Sequence, residues 1–182
     1  MIKTSDILDE KEKILRKKSE TVTFPLSKKD KKLIEDMLTH LINSQIPEIS
    51  EKECLRPGMG LSAVQLGVLK RYFVIAHEQD DHTFNKYIII NPKIKTFSEE
   101  LIYVEDGEGC LSVNREVEGI VPRHARITIE YEDIDGNNKE IRAREELAVA
   151  FQHEIDHLNG ILFFDHIDPK NPYKDEEKMR MI

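Results

Sequence analysis

Apolar residues recur along this chain with two different periods. Leu33, Ile34, Met37, Leu38, Leu41 and Ile42 fall on one stripe of a 3.6-residue repeat, and Ser27 followed by Asp30 can cap its start. The spacing predicts a first amphipathic helix that serves as core scaffold. Residues 71–76, 87–91 and 126–131 are rich in β-branched and aromatic side chains, and Ile127, Ile129 and Tyr131 alternate with polar neighbours as a half-buried strand requires. Asp135-Gly136 marks a turn into a further extended segment, 139–142. Helical spacing then returns in Leu147, Ala148, Phe151, Ile155 and Leu158, with Gly160 where a C-terminal cap would sit. Val149, His153 and His157 form a second stripe on that helix. Helix, strands, helix is the order of an α+β fold, with mixed or antiparallel sheets packed around the second helix.

Length and charge narrow the possibilities. At 182 residues the chain suits one domain with a single core, and no repeat, low-complexity tract or linker divides it, so one catalytic domain over 1–182 is expected. Met1-Ile2-Lys3-Thr4-Ser5-Asp6 leads into charged residues without an apolar signal region, and no apolar run approaches membrane-spanning length. The expectation is a cytoplasmic protein without a membrane partner. There, the two cysteines argue for thiol chemistry or metal binding over a disulfide. A formal net charge of -8 offers no electrostatic footprint for stable nucleic-acid binding, though it allows a weak, transient visit to the ribosome.

The second helix carries His153-Glu154-Ile155-Asp156-His157. Histidines four apart share a helix face and can grip one metal ion, which makes this the candidate metal-binding helix at the centre of the fold. Glu154 then stands beside any water the metal activates. Such a site needs a third protein ligand and an open position. A histidine completing the longer H-E-x-x-H-x-x-G-x-x-H pattern is excluded, because Phe163 occupies that place. Glu176 or Glu177 would serve a thermolysin-like zinc endopeptidase. Cys110 is the third source, in Gly107-Glu108-Gly109-Cys110-Leu111-Ser112, where two glycines let the backbone approach a ligand closely. A buried structural thiol is the alternative for Cys110, and Cys54 reads as incidental. A non-catalytic metal-stabilised module is also open, with a fourth ligand such as Cys54 or His166 closing the site.

A third island is Gly58-Met59-Gly60-Leu61-Ser62-Ala63-Val64-Gln65, preceded by Pro57. Together with Glu108–Ser112 and Gln152–His157, in the same order, it resembles the signature segments of the peptide deformylases. The resemblance extends through Leu15-Arg16-Lys17-Lys18-Ser19 and through the stretch from Gly160 to His166, and so covers most of the chain. The extended region before Pro57 and a C-terminal tail without an obvious helix resemble the type common in Gram-positive bacteria and their relatives. Ser62 is one departure: the family usually has Ala there, and the exchange adds only a hydroxyl.

The resemblance implies an α+β architecture and a metal-dependent hydrolase that removes the N-terminal formyl group of formyl-methionine from nascent polypeptides, releasing formate. It implies Cys110, His153 and His157 as metal ligands, Glu154 as the general base, and one divalent ion per chain. That ion is ferrous iron in the cell, with zinc, nickel or cobalt able to replace it. Gln65 matches the family's oxyanion donor, and the backbone N–H of Leu111 is the second candidate. The backbone around Met59, Gly60 and Gly109 would pair with an extended peptide, as the resemblance suggests. Val149 and Ala150, on the face of His153, either line a pocket for the substrate methionine with Met59 or are plain core packing. Glu108 and Asp156 are candidates to orient the ligands, an ordinary surface salt bridge being the alternative for Asp156. The remaining histidines, His40, His77, His82, His124 and His166, read as surface or structural residues.

Overall fold

The computed structural model describes residues 2–182. Helix α1 (Lys28–Gln45) starts as its sequence signal predicts, the Ser27 hydroxyl accepting a hydrogen bond from the Asp30 N–H at 3.0 Å. Its buried side carries Ile34, Met37 and Leu41. A short helix that the apolar pattern did not reveal, α2 (Pro47–Glu53), follows in the extended region before Pro57. Pro47 suits the first helical turn, where its missing N–H costs nothing, and Cys54 closes the helix in a left-handed conformation.

Five strands form the main antiparallel sheet in the order β1 (Gly60–Ser62), β2 (Tyr72–Glu78), β3 (Phe84–Phe97), β6 (Arg126–Glu132) and β7 (Asn138–Arg144). In β2 every residue from Tyr72 to Ala76 is buried, because both faces of the sheet are covered. The two-residue period sends Tyr72, Val74 and Ala76 towards α1, and Phe73 and Ile75 towards helix α3 (Glu145–Leu158). A small second sheet joins β4 (Leu101–Tyr103) to β5 (Arg123–His124) on one side and, in parallel, to β8 (Arg180–Met181) on the other. The two- and three-residue strands left no period to read in the sequence. The longer ones cover the segments rich in β-branched and aromatic residues, though β3 runs from Phe84 to Phe97, well beyond the expected 87–91.

Helix α3 is held between these sheets. Ala148, Phe151, Ile155 and Leu158 pack on Phe73, Ile75, Ile89 and Ile129 of the large sheet, with the Phe151 ring edge-on to Phe73 and Tyr87 at 5.8 and 5.6 Å. Val149, on the other flank, packs on Ile102 and Ala125. The α+β arrangement of sheets around this helix is the one the periodicity predicts. Among the described residues, no helix is long and apolar enough to cross a membrane.

The helix ends in a Schellman turn: Gly160 N–H donates to His157 O at 3.2 Å, and Ile161 N–H to Asp156 O at 2.9 Å. Gly160 has φ +75°, and a Cβ there would lie 2.6 Å from the carbonyl oxygen of Arg16. The turn therefore needs both the left-handed backbone and the missing side chain. Gly160→Ala is expected to destabilise the protein by about 1–3 kcal/mol, measured by urea unfolding of the metal-free form. A loss below about 0.5 kcal/mol, the range of a neutral surface exchange, would contradict this account.

Candidate metal centre

Helical spacing brings His153 and His157 together with ring centroids 5.0 Å apart. The loop between β4 and β5 delivers Cys110, whose Sγ lies 3.2 Å from His157 Nε2. One ligand atom from each of Cys110, His153 and His157 falls within 4.8 Å of the others. Two imidazoles and a thiol, buried and converging, fit a divalent transition-metal ion with one coordination position left open. Phe163, which stands where a third histidine would be in another peptidase class, stacks on His153 with centroids 5.9 Å apart.

The rival ligands are elsewhere. Glu176 is exposed and accepts from the Tyr103 hydroxyl at 2.9 Å, and Glu177 is exposed beside it. Cys54 is exposed, its thiol facing the Glu51 carbonyl at 3.8 Å. His166 Nε2 is bound to Asp156 at 2.8 Å. Neither the endopeptidase reading nor the closed structural site finds its extra ligand in this cluster.

Behind the cluster lies a buried ion network. His153 Nδ1 bonds Glu108 Oε2 at 2.8 Å, fixing the ring so that Nε2 faces the other ligands. Arg123, only 3% exposed, donates from Nε and Nη2 to the two Glu108 oxygens at 2.7 and 2.9 Å, and from Nη1 to Asp156 at 2.6 Å. Glu108 thus bonds the ring of one candidate ligand, whereas Asp156 is bonded to Arg123 and His166 and to neither histidine of the cluster. Arg123 escaped the sequence reasoning, since a lone arginine beside a two-residue strand carries no pattern. His157 Nδ1 is buried without a protein partner among the described residues.

The electrostatics follow from burial and pairing. Burial would raise Glu108, but the hydrogen bonds of Arg123 and His153 overcome it and hold the carboxyl at about 2. Burial likewise opposes charge on His153, yet its bonds to Cys110 and Glu108 carry it well above the usual imidazole value. His157 moves well below, through burial first and the nearby charge of His153 second. Burial also raises Glu154, with the charge of His153 and a hydrogen bond from Ser62 acting against it.

The cluster opens into a cleft of about 330 Å³. Gln65, Leu111, Met59, Gly60, Gly109, Val149 and Ala150, the residues singled out for substrate and oxyanion, all line it. Val149 and Ala150 also pack against the core, as the plainer of the two readings given for them has it. Gly60 lies against the Glu154 carboxylate, which a Cβ would strike, while a Cβ on Gly109 would meet nothing within 4 Å. Gln65 is pinned at both ends: Oε1 accepts from Ser62 N–H at 2.9 Å, and Nε2 donates to Ser112 Oγ at 3.1 Å and faces Cys110 Sγ at 3.8 Å. Sequence reasoning also missed Arg56, whose guanidinium caps the carbonyls of Cys110 and Val113 and so anchors the thiol-bearing loop.

The network yields a stability test. Arg123→Leu leaves the buried Glu108 carboxylate with only His153 and the partly buried Asp156 with only His166, and should cost about 3–5 kcal/mol in urea unfolding of the metal-free protein at pH 7. Because the Glu108 pKa is depressed, its contribution is complete above the unfolded value of about 4.3 and fades as pH falls towards about 2, so the gap between wild type and variant should narrow in acid. An unchanged unfolding midpoint at pH 7 would refute the role given to Arg123.

Comparison with known proteins places this geometry. The family model described as polypeptide deformylase matches residues 4–173. A peptide deformylase of Oceanobacillus iheyensis is 48% identical over 182 residues, covering 100% of both chains, and one of Latilactobacillus sakei is 47% identical over 184 residues with the same coverage. The crystal structure of peptide deformylase from Thermotoga maritima superposes with a TM-score of 0.71 at 32% identity, covering 90% of this chain and 97% of that one. The likeness runs through the whole chain and not only its three motifs, and two of these relatives come from Gram-positive bacteria, as the tail and the region before Pro57 suggested. The chain therefore belongs to the polypeptide deformylase family, and it is a hydrolase that removes the N-terminal formyl group from nascent peptides.

Proposed function

We propose that residues 1–182 act as one catalytic domain in which Cys110, His153 and His157 hold the metal and Glu154 moves the proton. The observation that carries this reading is the convergence of those three ligand atoms within 4.8 Å at the floor of the cleft, beside a Glu154 that is 4% exposed. A divalent ion held there supplies Lewis acidity and lowers the pKa of a water towards about 7. Glu154 accepts a proton from the attacking water and delivers it to the departing amine nitrogen, so that cleavage of the formyl C–N bond leaves formate and a free amine. Its burial, which raises its pKa, suits both halves of that task.

As water adds to the formyl carbon, negative charge develops on the formyl oxygen. Gln65 Nε2 and the backbone N–H of Leu111 are the donors assigned to it, and the bonds that pin Gln65 at both ends favour a donor already in place before the reaction. β1 is an edge strand paired only to β2, so the backbone around Met59 and Gly60 offers a free side to an extended peptide, with Gly109 opposite. Met59, Val149 and Ala150 line the part of the cleft assigned to the substrate methionine. The substrate is the formyl-methionyl end of a nascent chain, met in the cytoplasm during a transient visit to the ribosome. A net charge of -8 supports no lasting hold on nucleic acid. Ferrous iron is the metal assigned in the cell, with zinc, nickel or cobalt as substitutes.

Glu154→Gln should retain the metal and lower formate release from a formyl-methionyl peptide by about 10²–10⁴-fold, the usual worth of a positioned acid–base group. Metal analysis alongside the assay checks both parts. A variant that bound no metal, or that worked at the normal rate, would end the assignment. Iron-loaded enzyme should also lose activity in air faster than nickel-loaded enzyme, because ferrous iron and its thiolate are oxidisable. Equal lifetimes would remove the support for iron.

A further inference from the structure

We propose that Ser62 is a positioning residue for Glu154: its hydroxyl anchors one carboxylate oxygen so that the other stays in the cleft. The inference rests on Glu154 being the base. Ser62 is fully buried at the end of β1, and its Oγ lies 2.6 Å from Glu154 Oε2 and 3.2 Å from the Glu154 backbone oxygen. The hydroxyl has one hydrogen, and the shorter distance and the formal charge assign it to the carboxylate. No other side chain or backbone group among the described residues donates to that carboxylate. Oε1 lies against Gly60, a residue of the cleft wall.

A glutamate reaches its carboxylate through three rotatable bonds, and the terminal one has a broad, weakly preferred torsion. One fixed oxygen and a glycine wall remove that freedom. Ser62 also serves a second group, because its backbone N–H donates to Gln65 Oε1 at 2.9 Å. One residue thus sets the place of the proton carrier with its side chain and of the oxyanion donor with its main chain. Ser62→Ala separates the two, deleting the first bond and leaving the second. The family's usual residue at this position is alanine, so the variant is expected to fold.

The test is a double-mutant cycle on nickel-loaded enzyme with a formyl-methionyl peptide, using Ser62→Ala, Glu154→Gln and the pair. Ser62→Ala should lower kcat about tenfold, the worth of a hydrogen bond to a charged group, with KM changed by less than about twofold. In the Glu154→Gln background it should lower kcat no further. A crystal structure of nickel-loaded Ser62→Ala should show the Glu154 carboxylate displaced from Gly60 or spread over several rotamers. A wild-type kcat for Ser62→Ala, an equal loss in both backgrounds, or an unmoved carboxylate would each overturn the positioning role. Full activity of Glu154→Gln with Ser62 intact would instead overturn the base assignment itself, so the two failures are distinguishable.

Discussion

The Arg123 guanidinium, buried between the carboxylates of Glu108 and Asp156, is the interaction on which the metal centre depends. Three charged groups removed from water are costly unless each finds its counter-charge and its hydrogen bonds, and here the fork of Arg123 satisfies both carboxylates at once. Its consequences run in two directions. Through Glu108 it fixes His153, and through Asp156 it ties the metal helix to the short strand β5 and to His166. With two carboxylates set against one guanidinium, a further positive charge is favoured at His153. A divalent ion bound beside it would supply that charge.

The scaffold explains why such a network can be held so firmly. Helix α3 is apolar on the flank that meets the large sheet and carries its chemistry on the flank that meets the small one. The large sheet supplies Phe73 and Tyr87, whose rings pack edge-on against Phe151 of the helix, and this apolar contact stabilises the helix in place. The small sheet and its loop are then free to be specialised. They contribute Arg123, Glu108 and Cys110, none of which adds much apolar burial. The C-terminal residues close this sheet, with Arg180 bridging Glu100 and Glu145, the latter the first residue of α3.

Reactive groups in the cleft are ordered by short local bonds. The turn after β1 lets the Ser62 N–H and Gln65 Oε1 meet, while Gly58 and Gly60 keep the strand close enough for Leu111 and Glu154 to pack directly on the backbone. The glycine-rich segment is thus a close-packing device between the edge strand and the metal helix.

Local periodicity and motif were enough to pick out the long elements and the three side chains that converge as candidate metal ligands. A repeat of 3.6 residues over α1 and α3, and of two over β6, records which face of each element meets the core, while the unbroken apolar run of β2 records burial on both faces, and that information is local to the segment. His153, Glu154 and His157 were legible because their spacing matches one helical turn, and Cys110 and Gln65 because they stand in segments with a characteristic order of glycines. What the sequence could not show is which distant side chains complete these groups. Arg123 is 15 residues from Glu108 and 33 from Asp156, Arg56 is 54 from Cys110, and Ser62 is 92 from Glu154. Each is an ordinary polar residue until the fold brings it against those partners. The added hydroxyl of Ser62 was a minor departure when read along the chain. Only the packing of β1 against α3, by excluding every other donor, made it the anchor of the Glu154 carboxylate.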